Sequence, residues 1–257
     1  MKNIKKLDKF DLDNFIKKDK KQKKEYILTE SEKIKNIPIN IIPDLKKAYK
    51  IKEVLNRFIT KYIQKIKKLE QIESNQKVLN QINIFKKNYL EITLPKKMNE
   101  NITNLYSMSG AMDFCKIQLV LRSLSTSMGS LWEKIAMCSN CSINPENEFG
   151  VKVTGVDLIS LIDNKITYIQ MKTMEDTLTA GQSPRSEKEL LLHKHSYFAA
   201  SFDTGRNWNF KSTEVKKVKG EAFWSLINLN YEYILKEVKL MIKEIEDNYY
   251  EKKNNEV

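Results

Sequence analysis

A chain of 257 residues is long enough to bury a full core, as one large domain or two small ones, and its formal charge of +12 sets up a surface field that attracts polyanions. No apolar run is long enough to span a bilayer and no signal peptide precedes the charged N-terminus, so membrane-spanning and secreted classes are excluded and a cytoplasmic protein is expected. Three cysteines (Cys115, Cys138 and Cys141) do not make a disulfide framework, and the low glycine and proline content argues against a loose array of modules.

In chain order, the lysine run from Lys17 to Lys24 reads as a solvated segment. Asp44 to Ile72 has apolar residues at helical spacing and follows Pro43, which predicts one long amphipathic helix. Asn75 to Ile92 predicts a second helix that ends before Pro95. Ala111 to Met137 reads as a third, with a break near Gly129, and carries Glu133 among apolar neighbours. Cys138 and Cys141 have the spacing of half a zinc site, for which His193 and His195 are the available partners, with ordinary reduced thiols as the alternative.

Gly155 to Lys172 (GVDLISLIDNKITYIQMK) is the chemically most suggestive segment. Asp163-Asn164 tolerates the positive backbone dihedrals of a two-residue hairpin turn, and β-branched or aromatic residues flank it. Pairing Ile162 with Lys165 then sets Asp157 opposite Gln170, on the face that also carries Lys172. Val156, Leu158, Ile162, Ile169 and Met171 fall on the other face, so both faces are largely apolar, as in a doubly covered central strand pair. A buried acid and a buried lysine need a partner or a metal.

Downstream, Ser186 and Glu189 have capping-box spacing for a helix starting near Glu187. Tyr197 to Phe202 reads as a strand and Asn230 to Asn248 as a closing helix, while Trp224 suits a core position. Glu251 to Val257 reads as a frayed end.

The order Asp157, twelve intervening residues, then Gln170-Met171-Lys172 resembles the PD-(D/E)xK nuclease superfamily, to which type II restriction endonucleases belong. Two positions depart from that pattern: Val156 stands where proline is usual, and Gln170 where a second carboxylate is usual. A helix just upstream of the hairpin contributes an acid in several such enzymes, and the resemblance gives that role to Glu133. It further implies an α/β (α+β) fold, a central mixed sheet flanked by helices, with residues 1–110 as a helical N-terminal region and 111–257 as the catalytic domain. The implied site is Asp157, Gln170, Lys172 and Glu133, with Mg²⁺ held by Asp157, Glu133 and Gln170. The implied partner is double-stranded DNA, cut by a homodimer with two symmetric sites. Arg122, Arg185, Arg206, Lys188 and Gln182 are the candidate DNA contacts. A structure-selective resolvase or repair nuclease and a non-catalytic nucleic-acid-binding protein are the alternatives.

Overall fold

A computed structural model describes residues 10–68, 73–101, 103–179 and 181–255 of the chain. Asp11 and Asp19 accept the N–H groups of Asn14 and Gln22 and so start α1 (Leu12–Lys17) and α2 (Lys20–Glu32). The lysine run, expected to be solvated, is therefore the entry to a capped helix. Lys23 within it is buried, donating to the Tyr62 hydroxyl at 2.8 Å and to Glu148 at 3.3 Å.

The single helix expected from Asp44 is two. After a 3₁₀ turn at Pro43–Leu45, α3 spans Lys46–Asn56 and α4 spans Ile59–Lys68, and the last four residues of the expected span lie outside the described residues. No glycine or proline stands at the break. The backbone tightens instead, Arg57 N–H reaching Val54 O and Phe58 N–H reaching Leu55 O, and the Phe58 ring joins Phe10, Phe15, Tyr62 and Phe149 at centroid distances of 4.9 to 6.3 Å. Tertiary packing overrides a periodicity that runs straight through.

Pro95 likewise fails to stop its helix. α5 (Ser74–Asn88) passes through a π-helical turn, Tyr89–Thr93, into α6 (Leu94–Met98), where Pro95 sits in the first turn and needs no N–H partner. Asn104 caps the short α7 (Leu105–Met108), and α8 (Met112–Met137) runs without a break through Gly129.

The remaining elements are β1 (Ser142–Ile143), α9 (Pro145–Phe149), β2 (Leu158–Ile162), β3 (Lys165–Lys172), α10 (Ser183–Leu190), β4 (Ser196–Ala200), β5 (Lys216–Lys219), α11 (Gly220–Leu226) and α12 (Tyr231–Asn255). The strands form one sheet in the order β1-β2-β3-β4-β5, antiparallel from β1 to β3 and parallel from β3 to β5. The fold is thus the mixed α/β class with a central mixed sheet that the sequence implies. The strand expected at Tyr197 begins one residue earlier and stops at Ala200, the closing helix extends to Asn255, and β1 and β5 have no counterpart in the sequence reading.

Helices cover both faces. Leu158, Ile162, Ile169 and Met171 pack with side chains of α5, α8, α11 and α12, Trp224 included, whose indole N–H donates to Ser201 O at 2.8 Å. Ile143, Ile159 and Tyr168 pack on the other face with α1 to α4 and Phe149. The N-terminal helices therefore contribute to both large cores, and packing is continuous across position 110. Among the described residues, no helix is long and apolar enough to cross a membrane.

Candidate active site

Asp163 and Asn164 have φ of 49° and 58°, the turn expected, and it sets Ile162 opposite Lys165 and Leu158 opposite Ile169. The expected register fails at the next step. Asp157 N–H donates to Ile169 O at 2.9 Å, so Asp157 and Leu158 both face Ile169, and the strand carries a β-bulge. Val156 shows the effect: expected on the face of Leu158 and Ile169, it lies in the opposite core with Ile159 and Tyr168. One inserted residue inverts the alternation beyond it. Asp157 is consequently not the ladder partner of Gln170. Its Oδ2 accepts the Met171 N–H at 2.7 Å, a donor that an unbulged ladder pairs with a backbone carbonyl.

Glu133 reaches the same edge from α8. Asn144 links the two acids: its Nδ2 donates to Asp157 O at 2.9 Å and to Glu133 Oε2 at 3.4 Å, while its Oδ1 caps α9 through Asn147 N–H. Burial, then the Asp157 and Glu146 charges, pushes the Glu133 carboxyl up to about 7 against the opposing pull of Lys172 and Lys152. Burial also raises Asp157, with Glu189 adding to it, while the Met171 N–H, Lys172 and Lys152 work the other way. Lys172, at the end of β3, is half-buried and makes no ion pair among the described residues. Three of the four expected site residues are therefore electrostatically coupled. Gln170 is buried, and its Oε1 has no hydrogen-bond partner among the described residues.

Sequence reasoning missed Asn144 and Glu189. Asn144 precedes a proline, a recognisable helix start, but its long-range bonds leave no local trace. Glu189 was expected in a capping box. Instead α10 starts at Ser183 with Pro184 in its first turn, and Glu189 is buried in the last turn with Arg185 Nε donating to its Oε1 at 2.8 Å. Of the expected DNA contacts, Arg185, Gln182 and Lys188 are exposed on or beside α10, Arg206 is exposed and bonded to Asp176, and Arg122 is exposed on α8.

The zinc combination does not assemble. Cys138 and Cys141 pack in the core on one face of the sheet, whereas His193 stacks on Tyr168 on the other, ring centroids 3.8 Å apart. Burial, with Lys52 nearby, lowers the His193 imidazole to about 3. Among the described residues no three His, Cys, Asp or Glu side chains converge on a metal position; the hairpin edge offers two carboxylates and backbone carbonyls, and no contact brings the Gln170 amide to them. No family model, curated protein or solved structure matches this chain.

Proposed function

We propose that this chain is a Mg²⁺-dependent endonuclease that cuts double-stranded DNA at specific sequences by phosphodiester hydrolysis, as type II restriction enzymes do. The supporting observation is the pair Glu133 and Asp157, two coupled carboxylates at one end of a central hairpin with Lys172 beside them. Structural acids are normally paired with cations, whereas these two are held near one another against their mutual repulsion. The donor set fits a hard cation: the Glu133 and Asp157 carboxylates and the backbone carbonyls beside them are all oxygen ligands. A bound divalent ion supplies Lewis-acid polarisation of the scissile phosphate. Lys172 orients the attacking water and offsets charge that develops on the phosphate oxygens. Asn144 and the Met171 N–H hold Glu133 and Asp157 in place from the protein side.

Cutting both strands calls for two copies. Leu105, Met108, Met112, Phe114 and Leu121 on α7 and α8 are exposed, and this reading assigns their apolar surface to that association. Purified protein incubated with plasmid DNA and Mg²⁺ is expected to yield discrete fragments, and none in EDTA. Asp157→Ala and Lys172→Ala are expected to slow cleavage at least about a hundredfold. Absence of cleavage by the unmodified protein with Mg²⁺ or Mn²⁺ refutes the reading.

A further inference from the structure

Glu189 lies near enough to Asp157 for its charge to hinder ionisation there, yet it has no part in the chemistry above. Its side chain is 6 % exposed, while that of Arg185, one turn earlier, is 77 % exposed. An ordinary i,i+4 surface pair leaves both ends in water. Here the acid is sunk into the protein and the base projects from it. The 2.8 Å bond from Arg185 Nε to Glu189 Oε1 fixes the guanidinium by its inner nitrogen, and its terminal amino groups have no hydrogen-bond partner among the described residues, although the Asp44 charge also acts on the group. Gly155 backs the carboxylate with φ of +74°, and a Cβ there would stand 2.5 Å from both Glu189 Cβ and Oε2. The segment that leads into Asp157 is thus shaped to admit Glu189.

We propose that Glu189 is a positioning residue that clamps Arg185 so that its two terminal amino groups receive an oxygen of a DNA backbone phosphate close to the one being cut. A planar fork held at Nε matches a phosphate's geometry in a way a free lysine does not. The inference rests on the nuclease reading for its ligand.

Binding of a labelled duplex in EDTA, titrated with salt, tests it apart from cleavage. Arg185→Ala is expected to weaken binding about tenfold and to flatten the slope of log affinity against log salt by about 1, the signature of one lost phosphate contact. Glu189→Ala is expected to reproduce that loss, and the double variant to be no worse than Arg185→Ala alone, because Glu189 acts through Arg185. Glu189→Gln, whose amide oxygen still accepts the Nε–H, should keep the original affinity. Unchanged binding by Glu189→Ala, or additive losses in the double variant, overturns the proposal. Should Glu189→Ala fail to fold, Arg185→Lys decides: it keeps the charge but not the clamp, and is expected to bind as weakly as Arg185→Ala, original affinity being the contrary result. A protein that binds but never cuts refutes the nuclease reading alone. One that cuts while these variants bind unaltered refutes the clamp alone.

Discussion

Burial, and then the Asp157 charge, makes Glu133 harder to ionise, and the effect has a measurable sign. A carboxyl raised from 4.5 to about 7 adds stability that is fully present below the unfolded value and is lost as pH climbs through the folded one. Glu133→Gln removes that penalty. It is expected to unfold at a higher temperature than the original protein at pH 8 and at about the same temperature at pH 4, while losing cleavage. A melting temperature lowered at both values contradicts the upward shift. Glu175 behaves oppositely. Burial would raise it, but hydrogen bonds from Lys219 at 2.9 Å and from the Thr204 N–H and hydroxyl outweigh this and hold it down to about 2. Its contribution is present above 4.5 and disappears as pH falls towards 2. Glu175→Ala, which strands part of this buried network, is expected to cost about 3 kcal/mol in denaturant titration at neutral pH and little near pH 2. At this scale Asp157, Lys172 and Glu133 were legible because polar residues stood out in apolar segments. Glu175, Asn144 and Glu189 were not, because their environments come from loops and helices far away in sequence.

The hairpin is the element on which the site depends, and its turn was readable because Asp and Asn tolerate positive φ. Asn164→Ala forces a side chain without that tolerance into the left-handed region and is expected to lower stability by about 1 kcal/mol. Gly155→Ala meets both a positive φ and the Glu189 side chain, so a loss of about 2 kcal/mol or more is expected in the same measurement. Two ends of the hairpin segment, then, were unequally legible. Near the turn the local chemistry fixes the register, whereas the bulge at Asp157 answers to bonds that no turn signal encodes: Asn144, outside the hairpin, on its carbonyl and the Met171 N–H of the opposite strand on its carboxylate. The break between α3 and α4 has the same origin, an aromatic cluster assembled from residues as far apart as Phe10 and Phe149. The edge strands β1 and β5 were missed for a plainer reason: two and four residues are too few to show a period.

For the whole molecule, the mixed class of the sheet followed from one hairpin and one later strand separated by a helix, but not the way the N-terminal helices divide between its two faces. Glu133 descends from α8, which packs with the core of one face, while Glu189 sits on α10 beside β3 and β4, and Asp157 stands at the strand edge between them. The net charge of +12 makes a further expectation at this scale: affinity for any duplex, measured in EDTA, falls steeply with salt whatever its sequence. Salt-independent binding would set aside the polyanion reading. The bulge, finally, bears on descent. Because the Asp157 carboxylate takes the Met171 N–H that a regular ladder gives to a backbone carbonyl, a relative that lost the extra residue by deletion would return that amide to the ladder and leave its aspartate without this donor. Insertions and deletions at this point are therefore the changes that selection on the site would remove, and the count of residues between the acid and the glutamine is a constraint that descent would keep.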